Sequence, residues 1–185
     1  MKRRMICFLI FPLLLVTNAF ALAQDRSYSI GAGDVLEISV WKDESLSRQV
    51  VVPPDGIMAF PLIGDINVSN MTVADLRKAV KAKLSEFIPD ATVTVMLLKI
   101  NSLKAYVIGK VKQPGEFPIT METTVMQILS MAGGLNPFAA GGKVHILRRE
   151  KDTNVRIPVD YDELLKGKSL EQNIVVKTGD VVVVP

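Results

Sequence analysis

The chain has 185 residues, with 22 Lys+Arg against 19 Asp+Glu, a net charge of +3 and a single cysteine. Three of the basic residues, Lys2, Arg3 and Arg4, stand ahead of the apolar run "MICFLIFPLLLV", which leads into "AFALA". Beyond that segment basic and acidic residues balance, so charge gives no reason to expect nucleic acid as a partner, and with Cys7 inside the segment the rest of the chain has no thiol and no disulfide.

The N-terminal segment has the layout of a secretory signal peptide: a basic start, an apolar stretch and small residues for cleavage. Cleavage is expected after Ala23, with Ala21 as the second choice and an uncleaved anchor as the alternative. Cys7 lies too early to serve as a lipid-carrying cysteine. Export without disulfides points to a bacterial envelope protein held together by its core.

In chain order, "DVLEISVW" alternates apolar and polar residues through Val35, Leu36, Ile38 and Val40, the pattern of a strand with one buried face. Asp55-Gly56, between apolar runs, predicts a hairpin turn. Pro53, Pro54 and Pro61 lack the backbone donor, so the neighbouring strands should be short or at an edge. Thr72 is placed to cap a helix, with Asp75 three residues on, and Leu76, Val80, Leu84 and Phe87 form its apolar stripe. Arg77, Lys78, Lys81 and Lys83 fall on its solvated faces, and Pro89 should stop it. "ATVTVMLLKI" is a second alternating strand.

A second unit starts near Asn101. "AYVIGKV" and "FPI" read as strands around the turn "KQPGEF". Thr124 opens a short helix carrying Val125, Ile128, Leu129 and Ala132, which Gly133-Gly134 ends. "KVHILRRE" and "VRIPV" form a hairpin turning around Asp152–Asn154. Asp160 and Glu163 cap a turn of helix in "YDELLKG". "NIVVKTGDVVVVP" is expected to close the chain as a hairpin turned at Gly179-Asp180. Each half then runs strand–strand–helix–strand, and the absence of a Pro/Ser-rich linker suggests that the halves pack together. "GAGD" near the start and "TGD" near the end read as one device: a tight turn with a polar cap that launches a strand into a core.

Catalytic chemistry finds little footing. His145, the only histidine, alternates with Val144 and Ile146 and should point away from the core. Neither a nucleophile elbow nor a phosphate-binding glycine loop is present. The pairs Asp43-Glu44 and Asp160/Asp162/Glu163 sit at turns and caps. Trp41, Tyr28, Tyr106 and Tyr161 could stack on sugar rings, although scattered aromatics more often serve a core. No metal and no cofactor is expected. The residues on their own describe an exported α+β chain suited to binding or scaffolding, with no enzymatic role.

"YSIGAGDVLEISVW" followed by "VVPPDGIMAFPLIGDINVSNMT" resembles the export domain of the Wza-type outer-membrane polysaccharide export family. "AYVIGKVKQPGEFPI", "TTVMQILSMAGGLNPFA" and "VKTGDVVVVP" resemble its SLBB domain, a β-grasp unit. The phrases "GLNPFA" and "ILRRE" with "VRIPVDYDELLKGKSLEQNI" are similar to the short export proteins of exosortase-associated exopolysaccharide loci. The resemblance implies a signal peptide over 1–23, an export domain over 28–100 and one SLBB domain over 101–185. It carries over Gly31, Gly33, Asp34, Asp55, Gly56, Pro61 and Gly64 in the first domain, and Gly109, Pro114, Gly115, Gly133, Gly134, Gly179 and Asp180 in the second, as fold-determining positions. It also implies a periplasmic ring of identical subunits that guides polysaccharide outward, working with an inner-membrane co-polymerase or chain-length regulator. The longest members have two SLBB units and a C-terminal membrane-crossing helix. Here one unit and no such helix are read, so a separate outer-membrane β-barrel is expected to complete the exit. The alternative is a monomeric periplasmic glycan-binding module that regulates synthesis.

Overall fold

The computed structural model describes residues 27–151 and 153–185, so the expected signal peptide and Asp152 lie outside the described residues. The chain is α+β. Among the described residues, ten strands and three short helices are organised around two separate hydrophobic cores, one for each half.

The first half is built on β1 (Val35–Val40), whose pleat sends Leu36, Ile38 and Val40 into the core. β1 is the middle strand of an antiparallel sheet, between β2 (Asp43–Val51) and β5 (Val93–Lys99). A separate two-stranded ribbon pairs β3 (Ile57–Phe60) with β4 (Gly64–Asn67). Asp55-Gly56 is therefore not the turn of a paired hairpin as expected. β2 on one side of it pairs with β1, while β3 on the other pairs with β4, so the residues mark a change of sheet. Pro61 sits in the true hairpin turn, between β3 and β4.

Helix α1 (Val73–Leu84) has the expected start. Thr72 accepts from the Asp75 N–H at 3.1 Å, and Asp75 accepts from the Thr72 N–H at 3.3 Å, so two otherwise orphaned donors are satisfied. Leu76, Val80 and Leu84 are fully buried, and each contributes about 1.5–3 kcal/mol by leaving water. The expected end is wrong. The helix stops at Leu84, well before Pro89, and Phe87 leaves the stripe to stand 56% exposed.

The second half is a five-stranded mixed sheet in the order β7-β6-β10-β8-β9, with α2 (Val125–Met131) contributing Val125, Ile128 and Leu129 to its core. β6 spans Lys104–Gly109, β7 Gly115–Pro118, β8 Val144–Glu150, β9 Thr153–Val159 and β10 Val181–Val184. The turn of the β8–β9 hairpin closes on Glu150 opposite Thr153. Short α3 (Tyr161–Leu165) starts at Asp160, whose carboxylate accepts from the Glu163 N–H at 3.0 Å.

β10 corrects the remaining expectations. Gly179-Asp180 turns no hairpin, because the segment leading into it, residues 174–178, forms no strand that pairs with β10. Instead β10 enters the middle of the sheet, parallel to β6 and antiparallel to β8. Its pleat divides the four valines: Val182 and Val184 are buried in the core, while Val181 and Val183 lie half-buried on the other face. The strand–strand–helix–strand repeat also fails, since four strands precede α1, and β8, β9, α3 and β10 follow α2.

At the end of the β6–β10 pairing the backbones close in on each other. Gly109 has φ +95°, and a Cβ there would lie 2.0 Å from the Val184 carbonyl oxygen, which accepts from the Lys110 N–H at 2.8 Å. Gly134, after α2, also has positive φ but open space around it. Gly134→Ala should cost about 1 kcal/mol, from backbone strain alone. Gly109→Ala should cost about 1–3 kcal/mol more, because one of the two chains must move. Chemical denaturation of both variants checks the difference.

Candidate functional site: two buried aspartates at the junction of the halves

The two halves meet at residues 101–104, which lead from the connection after β5 into the first residue of β6. The aspartates of the two Gly-Asp turns are both buried, Asp34 at 0% and Asp180 at 1% exposure. A carboxylate removed from water must have its oxygens satisfied.

Asp34 Oδ1 accepts from the backbone N–H groups of Asn101 and Ser102, each at 3.0 Å. Oδ2 accepts from the Gly31 N–H at 2.9 Å and from the Tyr28 hydroxyl. The Asn101 side-chain amide returns a bond to the Gly33 carbonyl at 2.8 Å, and the Tyr28 and Ser102 oxygens lie 2.8 Å apart. The contact is close enough that a Cβ on Gly31 would sit 2.5 Å from Ser102 Cβ. Burial on its own would raise the Asp34 carboxyl, but the donors from Tyr28, Gly31, Ser102 and Asn101 outweigh it and hold the group below the usual carboxylate range. Burial, together with the bond to Asp34, pushes the Tyr28 phenol up to about 12.

Asp180 is held differently. Arg148 grips it in a fork, Nε to Oδ1 at 3.0 Å and Nη2 to Oδ2 at 2.7 Å, while the Lys177 N–H donates to Oδ2 at 2.8 Å. Arg148 is only 9% exposed, and Nη2 also donates to the Val175 carbonyl at 3.1 Å. The bond to Asp180 raises the guanidinium further, against the opposing effect of burial. The turn around Asp180 reaches the same connection as Asp34: the Thr178 hydroxyl donates to the Ser102 carbonyl at 3.3 Å, and the Gly179 N–H to the Lys104 carbonyl at 2.8 Å. The two Gly-Asp turns thus hold one four-residue segment from either end. The first takes its N–H groups and the second takes its carbonyls. The halves, expected to pack together, keep separate cores and are joined through this polar junction.

Of the other positions carried over, Gly31 and Gly33 shape the first turn, Asp55 and Gly56 the sheet change, and Pro61 and Gly64 the β3–β4 hairpin. Gly109 ends β6, Pro114 and Gly115 open β7, Gly133 and Gly134 follow α2, and Gly179 precedes Asp180. Asp55 Oδ1 accepts from the Ile57 N–H at 3.0 Å, local turn chemistry of the usual kind. These positions are distributed over the fold and form no single pocket.

Sequence reasoning missed Arg148, Tyr28 and Ser102. Arg148 was legible in part. It shares strand parity with Val144 and Ile146, so it had to face inward and therefore needed a buried anion. His145 is half-buried on the opposite face, with Nδ1 3.2 Å from the Lys143 carbonyl. The aromatics considered for sugar stacking lie on four different elements. Tyr28 is committed to the junction, Tyr161 packs on the second core, Tyr106 lies on β6, and Trp41 stands 73% exposed at the β1–β2 turn. Among the described residues no three or more of His, Cys, Asp and Glu gather as a metal site, and no helix is long and apolar enough to cross a membrane.

Two outcomes are expected at the junction. Asp180→Asn should destabilise by about 3–5 kcal/mol by stranding the Arg148 charge, and Arg148→Met in the same chain should recover part of that loss; urea unfolding of the single and double variants checks it. Asp34→Asn should cost about 2 kcal/mol at neutral pH. Because the folded Asp34 carboxyl titrates below its unfolded value, its contribution is complete above about pH 4 and fades as pH falls through the folded value. The gap between Asp34→Asn and the unaltered chain should therefore close in acid, as followed by thermal melts from pH 7 downward.

Residues 22–98 match the polysaccharide biosynthesis/export protein family, and residues 104–160 match the SLBB domain family. The chain is 28% identical to the EPS I polysaccharide export outer membrane protein EpsA of Ralstonia nicotianae, over 87% of this chain and 48% of that protein. It is 29% identical to the polysialic acid transport protein KpsD of Escherichia coli, over 76% and 25%, and 27% identical to the exopolysaccharide production protein ExoF of Rhizobium meliloti, over 72% and 35%. The chain thus spans about half the length, or less, of these relatives. The two matches follow one another along the chain, one in each half, and together with these relatives they support the polysaccharide export family.

Proposed function

We propose that this protein is a structural component of a polysaccharide export machine. It works in the periplasm as an oligomer of identical subunits, a ring closed by rotation, and guides exopolysaccharide or capsular polysaccharide towards the outer membrane. Residues 28–100 act as the export unit and 101–185 as the SLBB unit, after a signal peptide over 1–23. An inner-membrane co-polymerase and an outer-membrane β-barrel are its partners. The observation that carries this reading is the order of the two matched families on one chain, joined by a junction whose two buried carboxylates are filled with donors. Carboxylates committed in this way have no free oxygen with which to act as a base or ligand, which supports a scaffold in place of an enzyme.

Deleting the gene in its host should abolish surface polysaccharide while precursor synthesis continues, and the intact gene should restore it. His145→Ala should restore it equally well, because that side chain faces away from the core and its ring nitrogen lies against the Lys143 carbonyl. Immunoblotting for surface and intracellular polymer separates the outcomes. Polymer that reaches the surface in normal amount but with altered chain length would favour a monomeric glycan-binding regulator.

A further inference from the structure

Helix α1 separates its charges. At about 3.6 residues per turn, Arg77, Lys78 and Lys81 fall within about 100° of one another, together with Ala74 and the capping Ser85. All five are exposed, and no acidic residue shares the sector. Among the described residues none of the three cations takes part in an ion pair. Lys83 lies outside the sector and donates to the Asp65 carbonyl at 3.0 Å. Glu86 lies outside it too, lining a separate groove with Lys83, Phe87 and Leu62. Asp90 follows beyond the helix, and the one charged residue of β5, against which α1 packs, is the cation Lys99. Asp75, three residues before Lys78, is the one carboxylate at the sector's edge.

The sector borders a cleft of about 510 Å³. Ala74, Asp75 and Lys78 line it from α1, Thr72 from the turn before, and Tyr28 and Leu97 from other elements. The Tyr28 hydroxyl is engaged by Asp34 and Ser102, so what this residue has left for the cleft is its ring, held in place. Asp75 takes both bonds from Thr72 on Oδ2, at 2.7 and 3.3 Å, which leaves Oδ1 to accept. A fixed aromatic ring beside a few convergent polar groups is the usual make-up of a small-ligand site. Here the ring suits the C–H face of a pyranose, Asp75 Oδ1 a sugar hydroxyl and the Lys78 ammonium a sugar carboxylate.

A lipid surface fits less well. It calls for apolar side chains beside the cations, whereas Leu76, Val80 and Leu84 are fully buried and the sector itself adds only Ala74 and Ser85.

We propose that the Arg77–Lys78–Lys81 face of α1 and the adjoining Tyr28 cleft bind an acidic polysaccharide. One sugar ring enters the cleft, and carboxylates of neighbouring sugars lie along the helix. This names the polymer class for the export reading above and rests on that reading.

Oligogalacturonides and dextran oligosaccharides of equal length serve as acidic and neutral probes, titrated calorimetrically into protein purified after expression of the full chain. Oligogalacturonides should bind at least about tenfold more tightly than dextran, and less tightly as salt is raised. Lys78→Ala and Arg77→Ala/Lys81→Ala should each weaken that binding at least about tenfold with unchanged melting. Lys110→Ala/Lys112→Ala, which removes two exposed cations from the other half, should leave it unchanged. Tyr28→Phe should melt lower, having lost its bond to Asp34, yet bind as before, and Tyr28→Leu should bind less. Equal binding of dextran, an equal loss in Lys110→Ala/Lys112→Ala, or no binding of either probe overturns the assignment. Binding to phosphatidylglycerol vesicles that is lost in the α1 variants, with no binding of oligogalacturonides, overturns it in favour of a lipid surface. In the host, full restoration of surface polymer by Arg77→Ala/Lys78→Ala/Lys81→Ala, where the gene deletion abolishes it, overturns this site and leaves the export reading standing. A deletion strain that still exports, with oligogalacturonide binding intact, removes the export reading and leaves the site.

Discussion

The structure depends on burying two carboxylates at one joint. A buried charge without donors would cost far more than any single apolar contact returns, so each aspartate dictates the path of the chain around it. Asp34 requires backbone N–H groups from Asn101 and Ser102, which lie 67 and 68 residues away along the chain. The carboxylate is therefore satisfied only where the first half brings its two ends together. Asp180 requires Arg148, so the end of the chain must return to the middle of the second sheet. Between them they convert a connection with no core of its own into an ordered joint. Its N–H groups bond to one half and its carbonyls to the other.

The last strand follows from the same constraint. Once the Asp180 turn is fixed by Lys177, Arg148 and the Lys104 carbonyl, β10 can run only between β6 and β8. That places four valines in a central strand and explains why the run is apolar at every position. Val182 and Val184 fill the core, and Val181 and Val183 lie between neighbours on the opposite face. A central strand supplied by the C-terminus makes the second sheet a product of distant contacts. In the first half the β1–β2 pair and the β3–β4 ribbon are local, and β5 alone returns from a distance to pair with β1.

Local signals were legible in the sequence and pairings were not. The capping box at Thr72 and Asp75, the alternation in β1 and β5, and the apolar face of α2 depend on residues within a few positions of each other, and the structure has them as read. Asp55-Gly56 and Gly179-Asp180 have hairpin chemistry too. Whether the strands flanking a turn pair with each other is decided by the rest of the sheet, and in both places other partners won. Phe87 kept its helical spacing on paper, but α1 ends at Leu84 with Ser85 donating back to the Lys81 carbonyl. The aspartates themselves were read as acceptors within turns. That much is correct for the Gly31 and Lys177 N–H groups. The remaining donors come from Tyr28, Asn101, Ser102 and Arg148, and only the fold brings these together.

A joint of this kind transmits orientation. The first half offers its donors through the backbone at Asn101 and Ser102, and the second offers its own through Gly179 and Thr178. A change of angle between the halves would break charge-assisted bonds on one side before relaxing anything on the other. Surfaces on the two halves are consequently held in fixed relation although their cores are separate. Copies that meet through such surfaces would repeat one geometry at every contact. A closed assembly needs that regularity, and two units on a loose tether would not supply it.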